Sequence, residues 1–324
     1  MVLVLVDHDR GELDELSLQA VTYGRELAAT TGEPLEALVV GADGRGVAGV
    51  LGEHGVATVH IAVNDALTDY APVAAARAAS DVISRTGASV VLATGSPRGN
   101  EVLAHLGAIT DLPVAADCVK VTPGAPTEVV RARWGGSLIE TANLHGSPAL
   151  VSLVPHTVAA EPGGSGAGAV AEFTPELADT DLLVVAKPAA ASEEATGVSL
   201  ADAKVVVSGG RGVGSAEGFA PLEELAELLG GTVGCSRVVT GNGWRPHTEQ
   251  VGQTGTKVAP DLYIACGISG ATQHIAGCRN SKTMIVINTD PEAAIMGYAD
   301  YAIIGDIGKV LPAIIEETRK AKAG

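Results

Sequence analysis

The sequence predicts an α/β protein of two domains: an N-terminal, mostly parallel sheet with an antiparallel hairpin, and a C-terminal Rossmann-like parallel sheet. Short Val, Ile, Leu and Ala runs alternate with stretches of helical periodicity along most of the chain, the pattern of βαβ units. A length of 324 residues exceeds what one hydrophobic core usually organises. Composition shifts to Pro, Gly, Ala and Ser at 155–168 and again at 188–196. These shifts predict linker segments over about 155–200 and a boundary near residue 195, dividing 1–195 from 196–324.

Residues 2–6 read as a short buried strand. Leu13, Leu16, Ala20, Tyr23 and Leu27 then recur every three or four residues, which marks one helix face. Further strand-like runs stand at 35–40, 56–63 and 89–93, with helical stretches between them. Runs at 117–121 and 128–134 flank Thr122-Pro-Gly-Ala-Pro126 and predict an antiparallel hairpin on the parallel sheet. In the C-terminal part, strands are expected at 204–207, 232–235, 262–266, 283–287 and 301–304. A helix with Phe219, Leu222, Ala226 and Leu229 on one face should end at Gly230, where a left-handed cap suits glycine. A closing helix carries Val310, Leu311, Ile314 and Ile315 and ends in Arg319, Lys320 and Lys322, cations that suit the negative end of its dipole.

Composition excludes several function classes. Acidic residues outnumber basic ones 38 to 21, the net charge is −17, and aromatics make up 3% of the chain. Nucleic-acid binding needs a basic face and stacking rings, so it is not expected. Four cysteines without a C-x-x-C pair, and eight histidines without ligand spacing, signal neither disulfides nor a metal. No apolar run reaches membrane-spanning length and the N-terminus fits no targeting peptide, so a cytoplasmic protein that does not span a membrane is expected. Neither a G-x-S-x-G elbow nor a P-loop is present. Gly44-Arg-Gly-Val-Ala-Gly49 matches G-x-G-x-x-G, but Gly44 comes four residues after the strand and no suitably placed acid follows. That match reads as chance.

Ligands of open parallel sheets sit beyond the carboxyl ends of the strands. Here those positions read Ser208-Gly-Gly-Arg-Gly212, Ser236-Arg237, Gly267-Ile-Ser-Gly270, Asn288 and Gly305-Asp306. Glycines admit a ligand close to backbone N–H groups, helix starts would add positive dipole ends, and Arg211 and Arg237 supply countercharge for a pyrophosphate. Asn288 and Asp306 suit ribose hydroxyls. One such turn would be ordinary in any α/β sheet; five together point to a dinucleotide. The loop Gln250-Val251-Gly252-Gln253-Thr254-Gly255 is either a surface loop or a wrap around the edge of a heteroaromatic ring. His274, early in a helix after a strand, is either a structural hydrogen-bonder or a site residue.

These segments, with Leu262-Tyr-Ile-Ala-Cys-Gly-Ile-Ser-Gly-Ala-Thr-Gln-His274 and Ile287-Asn-Thr-Asp-Pro-Glu-Ala293, closely resemble the FAD domain of the electron transfer flavoprotein alpha subunit. The resemblance is ordered from about residue 200 onward, whereas the N-terminal half is similar only in size and strand pattern. It implies an electron carrier rather than a substrate-converting enzyme, with FAD held mainly by this chain in a heterodimer with a beta subunit. It further implies acyl-CoA and other flavoprotein dehydrogenases as donors and a membrane quinone oxidoreductase as acceptor, in the setting of fatty acid beta-oxidation. By position, Arg211 and Ser236 resemble the phosphate contacts and Arg237 the cation over the isoalloxazine. Thr254 is similar to the hydroxyl at flavin N5, His274 to the group near the C2 carbonyl, and Gln273 to a ribityl contact. Asn288 and Asp306 resemble adenosine-end contacts, and Gln250, Val251, Gly252, Gln253, Ser269, Gly270, Ala271, Thr272 and Ile307 complete the implied cofactor set. The chain departs from the family pattern at Cys235, Thr256, Lys257, Thr272 and Thr289. A bifurcating, NADH-oxidising relative and a nucleotide-binding module without redox turnover remain alternative readings.

Overall fold

The computed structural model describes residues 1–164, 166, 168–186 and 199–323. They belong to two compact units, Met1–Ala191 and Ser192–Gly324. The boundary expected near residue 195, and the composition shift at 188–196, lie outside the described residues.

In the first unit the chain runs through β1 (Val2–Leu5), the antiparallel pair β2 (His8–Asp9) and β3 (Glu12–Leu13), α1 (Glu15–Thr31), β4 (Leu35–Val40), α2 (Ala48–Glu53), β5 (Thr58–Ala62) and α3 (Pro72–Thr86). It continues through β6 (Val90–Thr94), α4 (Pro97–Thr110), β7 (Val114–Thr122), β8 (Thr127–Arg133), β9 (Leu138–Leu144), β10 (Ala149–Leu153) and β11 (Ala169–Phe173). One sheet takes the order β11-β5-β4-β1-β6-β10-β7-β8-β9. Pairing is parallel from β11 to β7 and antiparallel across β7, β8 and β9.

Strand alternation sends Val2 and Val4 into one core with Ala20, Tyr23 and Leu27 of α1, and Leu3 into the other with the alanines of α3 and Leu103 and Leu106 of α4. Helix α1 starts where the Asp14 carboxylate accepts the Leu16 N–H at 2.8 Å. Leu13, expected on that helix face, therefore lies before the cap, in β3. The Tyr23 hydroxyl ties helix to sheet by accepting the buried Val121 N–H at 2.7 Å.

Two expectations are corrected here, and a third finds its physical reason. The hairpin is extended by β9, whose run of exposed residues hides it from a hydrophobicity reading. Within the segment expected as a linker at 155–168, residues 155–164 are not free. The Arg25 guanidinium donates to the carbonyls of His54 and Glu161, and Gly163 and Gly164 donate to that of Glu53, so the segment is fastened to α1 and α2. It then enters β11, parallel to β5. The Gly44–Gly49 match lies in a 3-10 turn leading into α2, where a Cβ at Gly44 would come 2.2 Å from Val39 Cγ1. Packing explains that glycine.

The second unit contains β12 (Val205–Gly209), α5 (Ala220–Leu229), β13 (Thr232–Cys235), α6 (Arg237–Gly241), β14 (Leu262–Cys266), α7 (Thr272–Cys278), β15 (Thr283–Asn288), β16 (Tyr301–Ile304) and α8 (Ile307–Ala323). Its strands are all parallel in the order β13-β12-β14-β15-β16, a doubly wound sheet. Phe219, Leu222 and Leu225 pack with Leu311 and Ile315 against one face, and Ile275 and Cys278 of α7 against the other. Helix α5 ends at Gly230, whose φ of 68° is the left-handed cap that glycine adopts without strain. Among the described residues no helix is long and apolar enough to cross a membrane, and no group of three His, Cys, Asp or Glu could hold a metal.

Removing the Tyr23 hydroxyl leaves the Val121 N–H buried without an acceptor. Tyr23→Phe should therefore cost about 1–3 kcal/mol. In urea unfolding the midpoint should fall with the slope unchanged; an unchanged midpoint would show that the bond contributes nothing.

Candidate functional site

In the second sheet β12 lies between β13 and β14, so the chain leaves β12 and β14 in opposite directions and opens a crevice at their carboxyl ends. Only glycine allows the two loops there to meet. Gly210 donates to the Cys266 carbonyl at 2.8 Å and Gly212 to that of Gly267 at 3.1 Å. A Cβ at Gly210 would sit 2.3 Å from the Gly267 oxygen.

Around this contact is a cleft of about 740 Å³. It gathers Arg211, Ser236, Arg237, Gln250, Val251, Gly252, Gln253, Thr254, Ser269, Gly270, Ala271, Gln273, His274 and Asn288. Val238, Ile268, Asp290 and Ala293 also line it and were not singled out from the sequence. The signal for Asp290 was the Asn-Thr-Asp turn after β15, where the Asn288 side-chain oxygen accepts the Asp290 N–H. Thr272, Asp306 and Ile307 do not line the cleft. Thr272 is exposed at the start of α7. The Asp306 carboxylate accepts the Gly308 N–H at 2.8 Å at the start of α8, and Ile307 packs toward Gly267.

The electrostatics favour an anion. Two guanidiniums, Arg211 and Arg237, face one carboxylate, Asp290, in the lining. Among the described residues neither arginine has an ion-pair partner, whereas Arg245 nearby in sequence is held by Glu223 and Glu249. The Ser236 side chain makes no cap bond to α6 and keeps its hydroxyl available. The expected help from helix dipoles is corrected: α6 has five residues and α7 seven, and β12 leads into a 3-10 turn. Such short helices carry little macrodipole, so the charge comes from the side chains. A second cavity of about 650 Å³, beside the strand ends of the first sheet, is lined by five aspartates against Arg10 and Arg98. That field opposes a pyrophosphate, and the 740 Å³ cleft is the better candidate.

The 250–256 loop is internally braced rather than loose. Gln250 is buried; its side-chain oxygen accepts from Thr240 at 2.7 Å and its amide donates to the Thr254 hydroxyl at 3.1 Å. Thr254 thereby accepts one bond and keeps its own proton for a ligand. The loop is seated on α7 by the Gln253 N–H, which donates to the Gln273 carbonyl at 2.7 Å. Asn288 spends one amide hydrogen on the Ile268 carbonyl at 2.9 Å, so it fastens the strand-end loop as well as lining the cleft.

His274 is 6% exposed. Its Nε2 lies 2.9 Å from the Tyr263 hydroxyl, and its Nδ1 has no hydrogen-bond partner. Burial lowers its pKa to about 4, an effect that the nearby Val251 backbone only partly offsets without reaching hydrogen-bond geometry. The imidazole is therefore neutral at pH 7 in the protein alone. Unpaired cations at the rim, a free hydroxyl on a braced loop and an orphaned buried nitrogen fit a dinucleotide that ends in a heteroaromatic ring, and so fit FAD.

The sign of the His274 effect is fixed by its shift. The unfolded chain takes a proton on this imidazole below pH 6.5, which the folded chain refuses until about 4. Stability from keeping it neutral is complete above pH 6.5 and is lost as pH falls, by about 3 kcal/mol in all. The unfolding free-energy difference between wild type and His274→Gln should shrink accordingly across that window. A difference independent of pH would contradict a buried neutral imidazole.

Comparison with known proteins agrees with this geometry. The family model described as the electron transfer flavoprotein FAD-binding domain matches residues 199–279, and that of the electron transfer flavoprotein domain matches residues 2–178. The electron transfer flavoprotein subunit alpha of Thermoanaerobacterium thermosaccharolyticum is 33% identical over 329 residues, covering 99% of this chain and 98% of its own. The same subunit of Mycobacterium leprae is 35% identical, covering 99% and 98%, and that of Bacillus subtilis is 35% identical, covering 98% and 97%. With both halves matched and relatives aligned over nearly its full length, the chain belongs to the electron transfer flavoprotein alpha-subunit family, and the unit that carries the cleft is its FAD-binding domain.

Proposed function

We propose that this chain, paired with a beta subunit, is a diffusible one-flavin electron carrier. It takes electrons from acyl-CoA and other flavoprotein dehydrogenases and passes them to a membrane quinone oxidoreductase. The observation that carries this reading is the cleft at the sheet's switch point, with two unpaired guanidiniums at its rim and the Thr254 hydroxyl and His274 ring along its wall. Bound FAD supplies the ring that accepts and releases electrons. The chain binds it, holds it in one orientation and sets the electrostatic field around it.

In this reading Arg211 and the uncapped Ser236 hold the phosphates. Arg237 lies over the ring and favours its reduced, more negative form. Thr254, fixed from behind by Gln250, donates toward N5, and His274 meets the C2 edge without adding charge. Gln273 contacts the ribityl chain and Asn288 the adenosine end. Asp306, Ile307 and Thr272 do not line the cleft and take no contact role in this reading.

Two measurements test the proposal. Co-purified with its beta subunit, the protein should carry one FAD per heterodimer and should not be reduced by NADH. Two flavins with NADH reduction would instead assign a bifurcating carrier, and no flavin would leave only a nucleotide-binding module. Arg237→Ala should retain FAD but lower its midpoint potential by about 30 mV, or roughly 1.4 kcal/mol for a two-electron couple. An unchanged potential would remove Arg237 from the ring.

A further inference from the structure

A residue outside the expected contact set lies within hydrogen-bond distance of the cleft's buried histidine. Tyr263, in β14, is fully buried in a strand otherwise built of Leu, Ile, Ala and Cys. Its hydroxyl lies 2.9 Å from His274 Nε2, with the two rings tilted by 55°. A hydrogen bond between a phenol and a neutral imidazole holds one proton, and it can run either way. If Nε2 carried the proton and donated it, the phenol would need another acceptor for its own. The neighbouring candidates are Ser208 and Cys278. Ser208 Oγ is buried and makes no hydrogen bond, and the Cys278 thiol is directed at the His274 carbonyl at 3.6 Å. A buried phenol without an acceptor would cost about 1–3 kcal/mol. The opposite direction leaves no such orphan on Tyr263.

We propose that Tyr263 is a positioning residue whose hydroxyl donates its proton to Nε2 of His274, so that the single imidazole proton resides on Nδ1 and Nδ1–H is the site's neutral donor. Burial supports this from both sides: it raises the Tyr263 pKa well above 10, which keeps the phenol protonated, and it keeps His274 uncharged. Nδ1, the nitrogen left without a partner, is then a donor awaiting an acceptor. The acceptor edge of a flavin pyrimidine ring would meet that need, and to this extent the inference rests on the FAD reading. Without FAD the Nδ1–H lies beside the Val251 backbone, so the direction of the Tyr263 bond does not depend on the cofactor.

The test is nitrogen-15 NMR of the full-length chain labelled at histidine, with FAD and after its removal. His274 Nδ1 should give the shift of a protonated ring nitrogen and Nε2 that of an unprotonated one. The reversed pattern, or a shift averaged between the two, overturns the proposal. In Tyr263→Phe the two nitrogens should move toward an average; an unchanged pattern in a folded variant also overturns it. Ser208→Ala should leave the pattern as in wild type, and a reversal there would mean that the phenol proton belongs to Ser208. Where the Phe variant does not fold, the wild-type and Ser208→Ala spectra decide. FAD stoichiometry is read separately: the expected tautomer in a chain that takes up no FAD supports the positioning role and ends the FAD reading, whereas the reversed tautomer in a fully loaded chain ends only the positioning role.

Discussion

The cofactor end of the second sheet depends on two backbones passing each other with no side chain between them. Gly210 and Gly212 on the loop after β12 lie against Gly267 after β14, and the hydrogen bonds that join them form only at that separation. Each glycine costs up to about 1 kcal/mol in chain entropy, and each backbone bond returns a similar amount. The contact is thus close to neutral in stability, and its value lies in position. It fixes where Arg211 leaves the first loop relative to Ser269 and Gly270 on the second. The same device recurs at Gly277, where a Cβ would come 2.3 Å from the Gly252 nitrogen, so the polar loop carrying Thr254 rests directly on α7.

Much of this was legible in the sequence because the inner strands of the second sheet are buried on both faces. Its strands read as mostly apolar runs rich in Val, Ile and Ala, and each stops where a glycine, hydroxyl or amide begins. The first sheet was less legible at its edges. β9 exposes most of its residues, and β11 is an edge strand that follows a glycine-rich stretch and, among the described residues, pairs only with β5. Nothing in their composition separates them from loop. Residues 155–168 looked like a linker because their fastening is by backbone carbonyls and glycine N–H groups, which side-chain patterns do not encode. The lengths of α6 and α7 and the burial of His274 are tertiary outcomes, so neither the weak helix dipoles nor the neutral imidazole could be read beforehand.

The uneven charge of the chain acquires a structural meaning. Acidic residues outnumber basic ones 23 to 10 in residues 1–190, but 15 to 11 in the rest. The first unit places several of those acids around its own strand-end cavity, while the second keeps two arginines unpaired at the corresponding ends of its sheet. Two parallel sheets in one chain thus offer the same kind of crevice with opposite fields. Topology alone would have allowed a dinucleotide in either; charge selects the second.

Within that cleft, charge and geometry come from different places. Arg211 and Arg237 are exposed, and an exposed cation is worth on the order of 1 kcal/mol to a nearby anion and is weakened by salt. Such groups attract and neutralise, but long flexible side chains fix no orientation. Orientation comes from buried neutral groups whose partners leave one direction free: Thr254 held by Gln250, and His274 held by Tyr263. A buried imidazolium in the same cleft as those arginines would be disfavoured twice, once by desolvation of its charge and once by repulsion. Under the proposed reading a neutral donor avoids both costs and would still meet an acceptor on the ring. In that reading the field around the ring is set at the exposed arginines, separately from the buried bonds that would align it.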